Sequence, residues 1–252
     1  MLPKRIIPVF LFNGHRLVKG TNFHHFVDVG DPISQGMIYD AQGADEIIIV
    51  DIFASREKRT ISPSIISEMI KKCRLPIAVG GGIQSILDAK KCFDAGADKI
   101  IINTQAISNP KLIKELSYEF GSQSVIVSID VKKSKNNLYY PYIFSGTVKI
   151  NIELKIIMED ILTYEPGEVI ITSIDNEGTL SGFDLNLYSQ FSDLNIPLIA
   201  SGGAGSYDHI VDLFNKAPCD AVGLGKMLFL RDYDIPRIKS YITGRNVFVR
   251  EA

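Results

Sequence analysis

Two glycine stretches and one aspartate are where this sequence is equipped for chemistry. Ile77–Ser85 reads IAVGGGIQS and Leu198–Ser206 reads LIASGGAGS. In each, an apolar run meets consecutive glycines and then a helix start. Without Cβ atoms the backbone can approach a ligand closely and take positive φ. Its N–H groups, ahead of a helix N-terminus, make an anion site. The plainer reading is that the glycines only form tight turns, but a pattern that occurs twice, each time before a helix, favours phosphate. Gly81 and Gly202 stand 121 residues apart, about half the chain, so the two stretches read as copies within a duplicated fold. Between them, Asp130 ends the apolar run Ser124–Asp130. An aspartate in that place has little structural use and suits a general acid or base. A duplicated site should oppose it with a second carboxylate. The equivalent position is Leu11, which cannot transfer a proton. Asp51 and Asp175 end two further runs and divide between loop capping and a role in the site.

The elements that must position these residues alternate along the chain. Apolar runs rich in Ile and Val fall at Arg5–Phe12, Glu46–Asp51, Pro76–Gly80, Lys99–Asn103, Ser124–Asp130, Glu168–Thr172, Pro197–Ser201 and Ala221–Leu224. They do not alternate with polar residues, as expected of strands covered on both faces. Helical spacing fills the intervals at Pro32–Gln42, Pro63–Lys72, Ile86–Ala95, Pro110–Phe120, Leu154–Tyr164, Leu185–Ser192, Tyr207–Asn215 and Ile235–Tyr241. Several of these open on a capping residue or a proline, as at Ser62–Pro63 and Ser85. Eight such units predict one α/β domain over residues 1–252, a closed (β/α)8 TIM barrel. Its halves run over about 1–121 and 122–252, with a β-hairpin insert at about 132–151 after strand five. Active sites of such barrels lie at the C-terminal ends of the strands. The glycine stretches, Asn103-Thr104, Asp130 and Gly225-Lys226 all fall there, which places two anion sites on opposite sides of one mouth.

Composition excludes several classes. The chain has 252 residues, 46% hydrophobic, and a net charge of −2, which offers no field for nucleic acid or an anionic membrane. Cys73, Cys92 and Cys219 sit singly, which argues for a reducing compartment and against structural zinc. No signal-peptide pattern opens the chain and no apolar run approaches ~18 residues, so a soluble cytoplasmic protein is expected. No metal and no organic cofactor is implied. His24 and His25 are adjacent in the loop Asn13–Gly30 and read as loop polarity, and His209 reads as surface. His15, near Leu11, is a weak candidate for a substitute base.

The chain resembles the cyclase subunits of imidazole glycerol phosphate synthase over nearly its whole length. The resemblance is carried by Lys4-Arg5-Ile6-Ile7, Leu17–Phe23, Gly30-Asp31-Pro32, Val79–Ile83, Ile102-Asn103-Thr104, Phe120–Gln123, Thr172–Asp175 and Leu198–Gly205. It implies a duplicated half-barrel and a bisphosphate ribonucleotide substrate. It also implies a glutaminase on the N-terminal barrel face, whose ammonia passes through the barrel to the mouth. On this resemblance, Arg5, Glu46, Lys99 and Glu168 form the charged gate, and Asp98 faces the partner. Lys19, Gly82, Asn103, Thr104, Thr172, Glu177, Gly178, Gly202, Gly203, Gly225 and Lys226 match its substrate and phosphate positions. A salt-bridge ring suiting any barrel is the plainer account of the four charges.

The gate matches in full, but the mouth departs from the pattern. The family opposes two catalytic aspartates, where this chain has Asp130 and Leu11. Glu177 stands for an aspartate, and Gly225-Lys226 for a small residue followed by serine. Losing one member of an acid–base pair costs about 10²–10⁴-fold in rate. These departures point to a divergent ammonia-receiving subunit that serves another acceptor, as in sugar amidination for surface polysaccharides, with a downstream amidotransferase. The alternative is a genuine cyclase subunit of histidine biosynthesis that tolerates Leu11 through another base. The related isomerase of the same pathway fits least, since it needs two opposed carboxylates and has no use for the gate.

Overall fold

Eight parallel strands close on themselves in the computed structural model, which describes residues 2–230 and 233–250. They are β1 (Arg5–Phe12), β2 (Ile47–Asp51), β3 (Ile77–Gly80), β4 (Lys99–Ile102), β5 (Val125–Lys133), β6 (Glu168–Ser173), β7 (Leu198–Ser201) and β8 (Ala221–Leu224). Each pairs in parallel with the next, and β1 pairs with β8 from Arg5 opposite Ala221 to Pro8 opposite Leu224, which closes the barrel. Helices α1 (Pro32–Ala41), α2 (Pro63–Lys72), α3 (Ile86–Asp94), α4 (Lys111–Phe120), α5 (Leu154–Leu162), α6 (Leu185–Tyr188), α7 (Tyr207–Lys216) and α8 (Ile235–Thr243) surround it. The chain is a TIM barrel. Residues 1, 231–232 and 251–252 of the expected span lie outside the described residues.

Burial explains why the strands read as continuous apolar runs. One face of each strand packs under the helices in a large cluster that includes Ile6, Phe10, Ile49, Val79, Val127 and Ile171. The other face fills the lumen with Ile7, Ile48, Ala78, Ile101, Ile126, Ile170 and Ile199. Both faces are dry, so both call for aliphatic side chains.

Helix starts follow the capping residues. Ser62 and Ser85 accept N–H groups from Ser64 and Asp88, and Ser206 does the same for His209. The caps of α3 and α7 have nearly the same backbone, φ −151° with ψ 163° at Ser85 and φ −151° with ψ 165° at Ser206.

Three places differ from the sequence-based expectation. The segment expected as a loop, Asn13–Gly30, holds an antiparallel hairpin of Leu17–Thr21 and His24–Gly30. Its two-residue turn puts Asn22 at φ 50° and Phe23 at φ 64°, the double positive φ of a tight hairpin turn, without the glycine that would announce it. Strand β5 runs past Asp130 to Lys133 because the insert continues it as a hairpin, pairing Lys133 with Tyr139. Leu185–Ser192 splits into α6 and a 3-10 turn at Ser189–Phe191.

The last helix is tied to the first strand by charge. Lys239 Nζ lies 3.0 Å from Asp45 Oδ1 and donates to Gly43 O, while Asp45 Oδ2 accepts the Ile6 N–H at 2.7 Å. Both side chains of the pair are almost fully buried. Removing one member leaves the other charge uncompensated. Lys239→Met should therefore lower the unfolding free energy by about 3–5 kcal/mol in a urea melt, with Asp45→Asn, Lys239→Met losing less than the single change.

Candidate functional site

Period-two alternation sends one row of each strand into the lumen. From β1 that row is Arg5, Ile7, Val9 and Leu11, so a single strand contributes to the floor, the wall and the mouth. At the C-terminal rim the register sets Leu11 opposite Val50, Gly80 opposite Ile101, and Thr172 opposite Asp130 and Ser201. β1 and β5 lie across the barrel from each other, so Leu11 and Asp130 confront one another over a cavity of about 480 Å³ that both line. No second carboxylate stands where Leu11 is.

Asp130 is buried, and its Oδ2 accepts a hydrogen bond from Asn103 Nδ2 at 3.0 Å. Burial pushes its carboxyl up to about 7. The Asn103 and Thr172 hydrogen bonds oppose that rise and the nearby Glu177 charge reinforces it. A carboxyl in that range is available in both protonation states near neutral pH, as a general acid or base requires.

The first glycine stretch has the geometry expected of an anion cradle. Gly81 and Gly82 take φ of 124° and 68°. A Cβ on Gly82 would stand 1.8 Å from the Arg59 carbonyl oxygen, so the glycine is also needed for packing. Gly81, Gly82, Asn103 and Thr104 all line the cavity. The loop beneath them is held by Asp51, which accepts the Phe53 and Ala54 N–H groups and pairs with Arg59, whose Nη2 is 3.1 Å from Asp51 Oδ1. Asp51 thus caps the loop, is paired with a half-buried Arg59, and also lines the cavity. Asp175 is exposed and accepts the Lys133 N–H at 2.8 Å.

The second stretch is arranged differently. Gly202 and Gly203 have φ of 96° and 117° and pack against Ser173 O and Gly182 O. Glu177 and Gly225 reach the cavity, whereas Gly202, Gly203, Gly178 and Lys226 do not line it. Gly178 packs instead against the backbone of Gly20 in the first hairpin. Lys226 Nζ donates to Thr21 Oγ1 at 2.8 Å. Lys19, expected at the substrate, is 1% exposed and lines the cavity. Its Nζ donates to Val9 O at 2.6 Å and sits 5.3 Å from the Phe229 ring centroid. Burial brings its ammonium group down to about 8, against the pull of Glu177.

At the opposite end of the lumen, four charges close a ring. Arg5 Nη1 is 2.9 Å from both Glu46 and Glu168, and Lys99 Nζ is 3.1 Å from Glu46 and 3.4 Å from Glu168. Burial raises the Glu46 carboxyl, with Lys99 and Arg5 pulling it back, and its Oε1 has no hydrogen-bond partner. Asp98, next to Lys99, is exposed and uses one oxygen to accept the Ile77 N–H at 2.8 Å.

Other expectations resolve more simply. His209 is half-buried, and its Nδ1 accepts the Gly205 N–H at 3.2 Å, so it braces the second glycine loop. His15 is exposed beyond the rim and does not line the cavity. Cys73, Cys92 and Cys219 are free and buried. Among the described residues no group of three His, Cys, Asp or Glu side chains is placed to hold a metal ion, and no helix is long and apolar enough to cross a membrane.

Two contributions were not read from the sequence. Ser128 and Ser201 add hydroxyl groups to the cavity wall. The insert's tip, Phe144–Thr147, crosses the mouth: the Phe144 N–H donates to Thr104 Oγ1 at 3.2 Å, and the Ser145 hydroxyl donates to Ile52 O. The inward phase of β5 and β7 would have given the serines, but the crossing had no local signal.

The model of the histidine biosynthesis protein family matches residues 5–234 of the chain. The chain belongs to that family. Within it, the chain is similar to the imidazole glycerol phosphate synthase subunit HisF of Hydrogenobaculum sp., at 38% identity over 99% of this chain and 100% of that one. The same named subunit of Methanococcus vannielii is 39% identical, again over 99% and 100%. That of Helicobacter hepaticus is 39% identical over 99% of each chain. Each of these matches covers nearly the whole of both chains.

Asp130 sets a sign for stability against pH. Its folded pKa lies above its unfolded one, so the folded state holds more protons between the two values. Stability attributable to this group therefore falls as pH rises from about 4 to about 7, and then levels off. Asp130→Asn should gain on the order of 2–4 kcal/mol relative to the parent at pH 8, and little at pH 4, in paired denaturant melts.

Proposed function

We propose that this chain is the ammonia-receiving, cyclase-type subunit of a glutamine-dependent synthase of the imidazole glycerol phosphate synthase type. The observation that carries the reading is a closed ring of four charges leading into an apolar lumen that ends at Asp130. Ile7, Ile48, Ile126, Ile170 and Ile199 exclude water from that path, which suits neutral ammonia and disfavours the ammonium ion. Arg5, Glu46, Lys99 and Glu168 are the gate through which ammonia enters. A glutaminase bound to the N-terminal face, where Asp98 is exposed, supplies it. The names of the similar subunits favour ring closure in histidine biosynthesis as the reaction at the mouth, an enzymatic role with lyase and cyclase character.

The chain's own residues give that chemistry its parts. Gly81, Gly82, Asn103 and Thr104 hold a phosphate of the acceptor, and Asn103 also orients the Asp130 carboxyl. Asp130 accepts or returns a proton beside the incoming nitrogen. Thr172 stands next to it, and Lys19 lines the same cavity. The matching caps at Ser85 and Ser206 support a division into duplicated halves, about 1–121 and 122–252. One observation favours a second reading, an ammonia conduit serving a different acceptor: Leu11 faces Asp130 where a second carboxylate would complete the acid–base pair.

Copurification with a glutaminase from the same cells tests the shared part of both readings. A glutaminase that binds and hydrolyses glutamine faster in the complex supports it, and the absence of any such partner would overturn it. The two readings separate on ammonium-dependent cyclisation of the family's ribonucleotide. Leu11→Asp should raise that rate by about 10²-fold or more, since it restores a proton-transfer group across from Asp130. Arg5→Ala should alter glutamine-dependent turnover while leaving the ammonium-dependent rate within about threefold, because it touches the floor and not the mouth.

A further inference from the structure

The insert after β5 holds neither a gate residue nor a phosphate ligand, yet its tip, Phe144–Thr147, lines the cavity beside the first glycine anchor. Three successive residues of that tip take left-handed backbone, Phe144 at φ 51°, Ser145 at φ 56° and Gly146 at φ 76°. Glycine adopts it freely, but a phenylalanine and a serine held there in succession cost energy that their surroundings must repay. The fold holds the tip from several sides. The Ser145 hydroxyl donates to Ile52 O, just past the end of β2. The Phe144 N–H donates to Thr104 Oγ1 at 3.2 Å, just past the end of β4. Gly146 sits against the Phe23 ring and Ile174, where a Cβ would come within 2.8 Å and 3.2 Å. Thr147 Oγ1 closes the turn by donating to Phe144 O at 2.7 Å.

The bond to Thr104 matters because of what a hydroxyl can do. Its oxygen carries one proton and accepts through its lone pairs. The Phe144 N–H occupies an acceptor direction, so the hydroxyl proton is left to point elsewhere, and the glycine cradle lines the same cavity. A donor that is already oriented costs less ordering when an anion binds. The Phe144 N–H reaches Thr104 only while the tip keeps its left-handed turn, and the Ser145 hydroxyl ties that turn to Ile52 O. Ser145 thus joins the two sides of the first anchor: the loop after β2, which packs against Gly82 through Ala54 and Arg59 O, and the loop after β4, which carries Asn103 and Thr104.

We propose that Ser145 is a positioning residue for phosphate at the first anchor. By pinning the insert's tip to Ile52 O it keeps the Phe144 N–H on Thr104, which turns the Thr104 hydroxyl proton toward the phosphate. Ser145 acts through Phe144 and Thr104 and does not itself hold the ligand. The inference rests on the reading of Gly81, Gly82, Asn103 and Thr104 as a phosphate anchor, and it gives the insert a part in that site.

Titration of the full chain with inorganic phosphate tests it, followed by two-dimensional NMR on the Gly81 and Gly82 amide resonances, which read the first anchor by itself. Ser145→Ala and Ser145→Gly should each weaken phosphate there by about fivefold or more. The glycine variant separates positioning from folding. It relieves the left-handed backbone, so its urea midpoint should hold or rise while its phosphate affinity falls. Thr104→Val should also weaken phosphate, and Ser145→Gly added to Thr104→Val should weaken it no further, because no hydroxyl proton remains to be aimed. Parental affinity in Ser145→Gly, or full additivity with Thr104→Val, would overturn the inference and leave the anchor standing. No response of Gly81 and Gly82 to phosphate in the unmodified chain would overturn the anchor and the inference together.

Discussion

Four charged side chains at the floor of the barrel, two nearly buried carboxylates and two partly exposed cations, satisfy one another through ion pairs. Arg5 bridges Glu46 and Glu168 from one side and Lys99 bridges them from the other, so each cation serves two anions. Desolvating such a set is costly, and geometry alone repays it. The ring is not a complete solution, since Glu46 Oε1 stays buried without a partner. A floor designed only for stability would be aliphatic, as the layer above it is. The charges are retained in a place where stability does not ask for them, and that is the argument for reading them as a gate.

The same alternation that aims those charges inward decides what stands at the mouth. Because Arg5 and Leu11 are six positions apart on β1, a strand that sends Arg5 into the floor must also send Leu11 into the mouth. β5 does the equivalent with Ile126, Ser128 and Asp130. Floor, lumen and mouth are one set of inward rows, and a shift of a single residue in either strand would turn all of them into the helix layer. The apolar lumen between them also explains why Asp130 is so easily protonated. Its charge has one amide and one hydroxyl for company, with a second carboxylate nearby, and burial outweighs those bonds.

Much of this was legible in the sequence, for reasons that can be named. Strands buried on both faces leave an unbroken aliphatic signature, so all eight were located within two or three residues at each end. Ser62 and Ser85 marked helix starts because a hydroxyl at that position satisfies an otherwise unpaired N–H. Asp130 was found because a polar residue at the end of an apolar run is conspicuous, and the floor charges were placed by the resemblance to the cyclase subunits. The hairpin at Leu17–Gly30 was read as a loop because its turn uses Asn22 and Phe23 without a glycine, and because its outer strand is mostly exposed and lacks an apolar stripe. Lys19 was read as a loop residue for the same reason, whereas it lies on the inner strand of a docked hairpin that carries it into the mouth.

What could not be read was how the second anchor fills. Gly202 and Gly203 look like Gly81 and Gly82 in sequence, and they share positive φ and a following helix cap. Local pattern therefore predicts equal sites. The difference comes from residues far apart in the chain, Thr21 and Asn22 in the first hairpin, Glu177 after β6 and Lys226 after β8, which meet only once the barrel closes. At the first anchor the loop partner is Arg59, whose charge is spent on Asp51 and whose backbone alone approaches Gly82, leaving the cradle's own N–H groups free to face a ligand. At the second, Lys19 and Lys226 donate to Val9 O and Thr21 Oγ1. Two glycine turns of like sequence thus stand in different surroundings, set by residues remote from them in the chain.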